Sequence, residues 1–561
     1  MNISYVKADN LVESLNSQTS NSLEFVFLVT GALAKIDKHT LLSCLKECIR
    51  VLKKGGLLFV QGVPSTLPSL GVFLEKQMTF KYWFAVESEV QETTALPSVH
   101  AGILLFVKGN GRFPIKRTRL PHQYCQACER TLKDWGGKAH LMNPNGYVIS
   151  DVIKDLPVAN NYTQVSRPLF DLMLSMLDVQ PPANQNAQLV DAPLSASAGL
   201  VGPLEGLSWK YQASAEPYIQ YHLPFVEFPK TNHGGQTAVI SDKLYDNIHQ
   251  GDAIEILKQY PDNSVDLVFA DPPYNLAKNY NIYADGRPEE QYIAWCNGWL
   301  TEYIRILKPT GSLFVLNLPR WAIHHAHFLN QHLYFQNWIA WDALSEPRGK
   351  IMPAHYALLF YTKQRTNFTF NYDVISPIDA RHYCLRASCI RQRKKASDDE
   401  KVPLNDIWWD IHRIKHRRDR DYHPCQLPEA LMERIISLAT NPGDIVLDAF
   451  GGVGTTPVTA LKLGRRYVAI DIDPYYVQVM RDKLAEVEQY GEVQRESVKQ
   501  APRTITKKEL QLELRLLASQ LGRLPTPEDV KINSQYDLKT YFETFPTWGK
   551  ALKAAKLELE S

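Results

Sequence analysis

The segment Asp271-Pro272-Pro273-Tyr274 combines residue types that can hold and activate a planar aromatic amine. A carboxylate and a backbone carbonyl that accept from the two amine N–H groups favour a pyramidal nitrogen with a reactive lone pair. Two prolines fix φ and so restrict the direction of the Pro272 carbonyl. The ring of Tyr274 offers a face for stacking. The plainer alternative is a turn that only ends a strand.

A glycine-rich turn follows about 180 residues later, in the sequence DIVLDAFGGVGTTPVTALKLG. An apolar run precedes it and a helical pattern follows it, which predicts a strand, a turn and a helix. Glycine lets the backbone approach a ligand closely, and a helix start offers N–H groups. We therefore expect a side chain at Gly454 to intrude on the ligand. The predicted cofactor contacts here are Asp448, Phe450, Gly452, Gly454 and Thr455.

Asp471 ends a second apolar run, RYVAIDID, about 20 residues after the turn. An acid at this place accepts hydrogen bonds from ribose hydroxyls in doubly wound folds. The pattern is neither the pyrophosphate-binding G-x-G-x-x-G nor a P-loop. A glycine turn alone is weak evidence, but the strand, helix and acid around it favour a nucleoside without a diphosphate. S-adenosylmethionine (SAM) fits that description.

The elements that position these motifs read as α/β. SVDLVFA (264–270) and GSLFVLNLP (311–319) have the apolar composition of buried parallel strands. EEQYIAWCNGWLTEYIRIL (289–307) has apolar residues at helical spacing and ends before a Lys-Pro pair. Strands alternating with helices predict a doubly wound parallel sheet, with both motifs at the carboxyl ends of strands.

The chain contains an internal repeat. ECIRVLKKGGLLFVQGVP (47–64) matches EYIRILKPTGSLFVLNLP (302–319) at an offset of 255 residues. The match continues without a gap, so that Trp83 pairs with Trp338. A run of this length is not chance, and it predicts two copies of one α/β fold.

The two motifs and their order resemble the amino-methyltransferases of DNA, in particular their β class, over roughly 245–485. The resemblance implies methyl transfer from SAM to N6 of adenine or N4 of cytosine in double-stranded DNA. It assigns catalysis to Asp271, Pro272, Pro273 and Tyr274, with Asp271 also beside the cofactor. The aspartate before Pro-Pro-Tyr favours adenine.

The same resemblance extends the predicted cofactor site. Asp252, in IHQGDAIEIL, would lie by the SAM adenine, and HPCQLPEALMERII would line its methionine end through His423 and Pro424. Two positions depart from the family pattern. Ala449 replaces a common proline, and Asp471 replaces a common glutamate but keeps the carboxylate.

The first copy lacks this chemistry. Val29, Thr30, Gly31 and Ala32 stand where the second copy has the acid, the prolines and the aromatic, and no glycine turn follows. We expect a degenerate methyltransferase-like half kept for packing or for DNA, forming an internal pseudo-dimer. The alternative is a copy under no functional demand.

The predicted organisation has five parts. They are a degenerate methyltransferase-like domain at 1–175, a linker at 176–240, a catalytic domain at 241–490 with a DNA-facing insert at about 364–423, a second linker at 491–505, and a small helical module at 506–561.

Cysteine pairs occur at corresponding points of the two copies. They are Cys125 with Cys128, and Cys384 with Cys389. Two such pairs could complete a tetrahedral zinc site, with His140 as a spare ligand. The alternative is two independent reduced pairs.

The insert is basic. Residues 381–423 hold 12 Lys or Arg and seven Asp or Glu, a net of +5, which suits phosphate contacts. A solvated surface loop is the alternative.

The C-terminal segment resembles the helical repeat attached to homing endonucleases, through LGRLPTPEDV and TYFETFPTWGKALKAAKL. That resemblance implies DNA binding, and a dimerisation or lid module is the alternative. Thr526 and Pro527 should open a helix, while Tyr541, Phe542, Phe545 and Trp548 should form a small core.

Bulk properties narrow the function classes. A net charge of +2 excludes a polycation, and eight Cys in 561 residues exclude a disulfide scaffold. With neither a secretory pattern nor a long apolar run, we expect a cytoplasmic protein without membrane contact. A non-catalytic nucleic-acid scaffold and an RNA methyltransferase remain alternatives, and the sequence names no restriction partner.

Overall fold

The computed structural model describes most of the chain, with several gaps. The described residues are 2–5, 11–33, 38–93, 95–109, 115–132, 142–154, 156, 165–177, 197–202, 244–277, 285–343, 349–397, 399–414, 426–493, 505, 507–545 and 547–557. His140, His423 and Pro424 lie outside them, as do the basic residues from 415 to 423. Both copies of the repeat belong to one compact unit, and the C-terminal helices belong to a second.

The first copy is built on a seven-stranded sheet. Its strands are β1 (Asn2–Tyr5), β2 (Leu23–Val29), β3 (Leu52–Gly62), β4 (Thr79–Thr93), β5 (Pro97–Val107), β8 (Val152–Ile153) and β9 (Ser197–Gly202), in the order β1-β9-β2-β3-β5-β4-β8. A small ladder joins β6 (Arg119–Leu120) to β7 (Tyr147–Val148). The helices are α1 (Leu11–Ser17), α2 (Lys38–Val51), α3 (Leu67–Glu75) and α4 (Arg167–Met176).

The second copy has an eight-stranded sheet. Its strands are β10 (Asn247–Gln250), β11 (Val265–Ala270), β12 (Leu307–Asn317), β13 (Tyr334–Asp342), β14 (His355–Thr362), β17 (Ile407–Trp408), β18 (Ile445–Asp448) and β19 (Arg466–Asp471), in the order β10-β19-β18-β11-β12-β14-β13-β17. β15 (Ile378–Asp379) and β16 (Lys401–Val402) form a separate ladder. The helices are α5 (Ala253–Leu257), α6 (Glu289–Ile306), α7 (Pro319–Leu329), α8 (Ala387–Ala396), α9 (Glu429–Ala439), α10 (Thr455–Lys462) and α11 (Pro474–Tyr490).

Helices cover both faces of the second sheet. Alternate residues of β11 point to opposite sides, so Val268 packs in the cluster that contains α6 and Phe269 in the cluster that contains α9. The α/β prediction is confirmed. One detail differs, because β14 runs antiparallel to both of its neighbours, as β5 does in the first sheet. Apolar runs do not reveal strand direction.

The predicted linker contains a strand. β9, at Ser197–Gly202, lies parallel to β2, which is the place that β18 takes beside β11 in the second sheet. The prediction of a linker over 176–240 is therefore wrong at these six residues. Its sequence, SAGLVG, is too short and too rich in small residues to give a strand pattern.

The two copies share a buried hydrophobic cluster. It contains residues of both, and within it Trp83 stacks on Trp338 with ring centroids 3.8 Å apart and planes 8° apart. Gly71 of α3 lies so close to α7 that an added Cβ would be 3.3 Å from Ile323 Cδ1. The residues paired by the sequence repeat therefore meet at the junction between the copies.

Two equivalent aspartates cross this junction in opposite directions. Asp151 Oδ1 of the first copy accepts from the backbone N–H groups of Ala354 and His355, at 2.7 and 2.9 Å. Asp406 of the second copy accepts from Val99 N–H at 2.8 Å, and its other oxygen is 3.1 Å from His100 Nδ1. Each aspartate thus accepts hydrogen bonds from residues at the start of a strand in the other copy, which is β14 for Asp151 and β5 for Asp406.

The C-terminal unit is helical, as predicted. It contains α12 (Lys507–Leu521), α13 (Pro527–Asn533), α14 (Leu538–Thr544) and α15 (Trp548–Ala554). Thr526 caps α13 in a reciprocal capping box with Asp529. Tyr541 and Phe545 are buried and Trp548 packs against their cluster, but Phe542 is 49% exposed, against the prediction.

None of the helices in the described ranges is both long enough and apolar enough to span a membrane.

Candidate active site

Four acidic residues lie at one edge of the second sheet. β10, β19, β18 and β11 are consecutive parallel neighbours, so their carboxyl ends share that edge. The acids at or just after these ends are Asp252, Asp471, Asp448 and Asp271. The structure therefore brings both sequence motifs, and the predicted acids on either side, to one place.

The Asp271–Tyr274 segment is fixed by buried aromatic residues. The hydroxyl of Tyr274 donates to Asp271 Oδ1 at 2.5 Å, and the Tyr274 side chain is only 5% exposed. Tyr292 donates to the carbonyl of Pro273 at 2.7 Å, and Trp321 Nε1 donates to the carbonyl of Tyr274 at 2.8 Å. Among the described residues, no donor contacts the carbonyl of Pro272. That carbonyl remains available to accept from a ligand.

Tyr303 joins the two halves of the site. Its buried hydroxyl donates to the carbonyl of Phe269 at 2.7 Å and accepts from Ala449 N–H at 2.8 Å. It therefore ties the end of β11 to the end of β18. Tyr303, Tyr292 and Trp321 were not predicted from the sequence, because their spacing within helical patterns is that of an ordinary apolar face.

The glycine turn is organised by two carboxylates, those of the buried Asp448 and the partly buried Asp471. Asp448 accepts from Phe450 N–H at 2.9 Å and from Thr456 Oγ1 at 2.6 Å. Asp471 Oδ2 accepts from Gly452 N–H at 2.9 Å. Burial raises the pKa of both aspartates to about 6, against the hydrogen bonds that favour the charged forms. Asp448 therefore stabilises the turn through hydrogen bonds within the protein.

The structure adds an internal reason for glycine at position 454. Gly454 is the N-cap of α10 and has φ of +86°, which other residues rarely adopt. A Cβ there would lie 2.8 Å from Met480 Cγ on α11. A side chain would thus strain the backbone and push on α11, so the fold itself requires glycine here. The collision with a bound ligand stays a prediction.

The remaining predicted cofactor residues have defined local roles. Asp252 is exposed and caps α5, because Oδ1 accepts from Ile254 and Glu255 N–H groups at 2.9 and 3.2 Å. Phe450 packs edge-on against Trp295 and Trp299. Thr455 Oγ1 is 3.5 Å from the carbonyl of Leu427.

Several basic side chains of the insert are already paired with acidic residues of the protein. Arg381 pairs with Glu87 of the first copy. Arg393 is buried and lies 3.3 and 3.4 Å from Asp379 and Asp399, and Lys401 pairs with the same two acids. The exposed basic residues of α8 are Arg391, Lys394 and Lys395.

Family models match two parts of the chain. One described as DNA methylase matches residues 265–482. One described as homing endonuclease associated repeat matches residues 505–558.

The family of the chain follows from its sequence identity to known proteins. DNA adenine methyltransferase YhdJ of Escherichia coli K12 is 36% identical over 245 residues, which are 41% of this chain and 80% of that protein. The chain belongs to the DNA methylase family. Type II methyltransferase M.HpaI of Haemophilus parainfluenzae is 33% identical to this DNA methylase over 237 residues, 41% of the chain and 72% of the relative.

The match to M.BamHI is partial. This type II methyltransferase of Bacillus amyloliquefaciens is 38% identical over 229 residues, 40% of this DNA methylase chain, which spans only 54% of the relative's length. Among solved structures, PvuII DNA methyltransferase (cytosine-N4-specific) aligns with 45% of the chain and 89% of its own, at 19% identity and a TM-score of 0.33. The family membership follows from the sequence relatives, not from this low structural score.

Proposed function

We propose that this DNA methylase transfers a methyl group from SAM to an exocyclic amine of a base in double-stranded DNA. The observation that carries the proposal is the shared sheet edge, where Asp271–Tyr274 and the glycine turn end neighbouring strands β11 and β18. Family membership supports the same reaction.

The residues at the edge fit SAM. Asp252 keeps an exposed carboxylate beyond its capping bonds, as contact with an adenine or ribose group requires. Gly452 and Gly454, with φ of +50° and +86°, turn the backbone sharply before α10. Neither a P-loop lysine nor a pyrophosphate fingerprint accompanies the turn, so a nucleoside suits it better than a dinucleotide. When bound, SAM supplies a methyl group activated by its sulfonium.

The chain's own residues prepare the amine. The Asp271 carboxylate has several lone pairs, so it can accept an amine N–H while it also accepts from Tyr274. The Pro272 carbonyl supplies the second acceptor. Both groups are fixed before substrate arrives, so little reorganisation is needed as charge develops on nitrogen. The target base must first leave the duplex stack, at a cost of a few kcal/mol.

Adenine N6 is the preferred target. Aspartate precedes Pro-Pro-Tyr, and one relative is named a DNA adenine methyltransferase. N4 of cytosine is the second candidate, because the same two acceptors serve either amine. Two relatives are named type II methyltransferases, which favours methylation at a specific site.

The proposal is tested by Asp271→Asn in the full chain. Expression in a methylation-free host, with sequencing that separates N6-methyladenine from N4-methylcytosine, should reveal one modified base at one motif. Asp271→Asn should lower the rate by roughly 100-fold or more, because the acceptor charge is lost. SAM affinity, measured by calorimetry, should change little.

Asp252→Asn is the matched control. Asparagine also caps helices, so the fold should persist while the charge near the cofactor is lost. That variant should weaken SAM binding and keep the rate at saturating SAM. A parent chain that binds no SAM would favour the non-catalytic scaffold. A near-normal rate for Asp271→Asn would exclude the acceptor mechanism.

A further inference from the structure

The first copy presents two cysteines on a tight turn. Cys125 and Cys128 flank it, with Cys125 N–H donating to the carbonyl of Arg130 at 2.7 Å and Glu129 N–H donating to the carbonyl of Cys125 at 2.8 Å. Glu129 has φ of +55°, which closes the turn sharply. Such a C-x-x-C turn holds two sulfurs close together and suits two ligands of one ion.

The second copy supplies two more cysteines beside α8. Cys384 precedes the helix and Cys389 lies in its first turn. One helical turn later, Arg393 is buried with its guanidinium 4.1 Å from the ring centroid of Tyr383. Cys389 and the buried Arg393 therefore lie on the same side of α8. The packing of Arg393 fixes the direction in which the cysteine points.

The four sulfur atoms converge. All lie within 4.8 Å of one another, with Cys125 Sγ 3.7 Å from Cys389 Sγ and Cys128 Sγ 3.6 Å from Cys384 Sγ. A tetrahedral zinc ion with Zn–S bonds of about 2.3 Å requires sulfur separations of about 3.8 Å. The observed spacing is close to that value and far above the ~2.05 Å of a disulfide.

The surroundings match a thiolate site. Cys125, Cys384 and Cys389 are at most 3% exposed, and Cys128 is partly exposed. The backbone N–H of Cys384 donates to Cys125 Sγ at 3.3 Å, which is the type of contact that stabilises a metal-bound sulfur. Four sulfur ligands in a tetrahedral arrangement select zinc over the harder divalent ions.

We propose that Cys125, Cys128, Cys384 and Cys389 bind one structural zinc ion that joins the first copy to the insert of the second. The cysteines bind as thiolates and release their protons to solvent. All four positions are then occupied by protein, so the ion has no open position for catalysis. It fixes α8, with exposed Arg391, Lys394 and Lys395, to the first copy.

The test uses the full chain purified without chelator. Elemental analysis should find about one zinc per chain, and a thiol-reactive mercurial should release it to a chromogenic indicator. Cys128→Ser should lose at least 80% of the zinc, and Cys128→His should retain it, because imidazole also binds zinc. The partial exposure of Cys128 gives histidine room. Proteolysis within 115–132 should accelerate in the serine variant.

Cys296→Ser is the matched control, since Cys296 is a buried cysteine outside the cluster. It should keep the full zinc content. Protein without metal would overturn the proposal, as would an iron chromophore in the visible spectrum. Fewer than eight free thiols in the denatured, unreduced protein would indicate disulfides and would also overturn it.

Discussion

Lys108 in the first copy and Lys363 in the second make the same contacts. Each ammonium donates to an asparagine side chain, Asn21 or Asn263, at 2.9 or 2.7 Å, and to a leucine carbonyl at 2.7 Å. These lysines are 255 residues apart, as the repeat requires. The internal frame of the two copies is therefore equivalent down to single hydrogen bonds.

The strand ends differ. β11 leads into Asp271, which is held by Tyr274, whereas β2 leads from Val29 into a short 3-10 helix over Thr30–Leu33. The second copy also has 13 more residues between this strand and the following helix, because the offset rises from 242 to 255. Packing is thus shared by both copies, while the groups suited to chemistry lie at the edge of one.

This contrast separates two roles of one fold. Side chains within a strand pack against neighbours on both faces of the sheet, and the cluster shared by the two copies extends this packing across their junction. Residues that follow the end of a strand are not constrained in this way. We propose that the second copy needs the surface of the first for its packing.

The largest expected effect is that of removing the first copy. A chain of residues 236–561 exposes Trp338 and Ile323, which are fully buried in the intact protein. Exposed apolar surface of this kind promotes association, so we expect aggregates or new oligomers in light-scattering chromatography. A soluble monomer that methylates the same sites at the full rate would mean that the first copy is dispensable.

The two junction aspartates should respond differently to charge removal. Asp406→Asn weakens the contact with His100 and should destabilise the chain by about 1–2 kcal/mol at pH 8, measured by urea unfolding. Asp151→Asn should not, because asparagine still accepts from the backbone while an unfavourable buried charge is removed. Equal losses for both variants would contradict this asymmetry.

The pH dependence of Asp151 sharpens that test. Burial raises the pKa of Asp151 to about 7, above the ~3.9 of an unfolded chain. The folded state then binds the proton more tightly, so the free energy of unfolding falls as the pH rises from about 4 to about 7. Asp151→Asn should remove this contribution, and an unchanged slope would refute it.

The smallest expected effect is that of restoring the motif to the first copy. In an Asp271→Asn background, Val29→Asp with Ala32→Tyr should regain no methyl transfer, because no glycine turn accompanies β9 in its sequence. Calorimetry should still find one SAM per chain. Renewed methylation in this background would show that the first copy retains a working cofactor site.

Sequence patterns predicted those parts of the fold that depend on local chemistry. The acid-bearing strand ends, the capped helix at Thr526 and the convergence of four cysteines were all visible as types and spacings. β9 was missed, since its register comes from β1 and β2 and not from its own residues. Tyr303 was missed for a similar reason, because its two hydrogen bonds join strands that are neighbours in the sheet but far apart in the sequence.

The single edge at which β11 and β18 end determines how many DNA strands one molecule can methylate in one encounter. Under the proposed function, a palindromic duplex site offers a target on each strand, but the described residues of each molecule present one reactive edge. A single encounter therefore modifies one strand. The second strand needs rebinding in the opposite orientation or a second molecule, so hemimethylated DNA should appear as a released product early in the reaction time course.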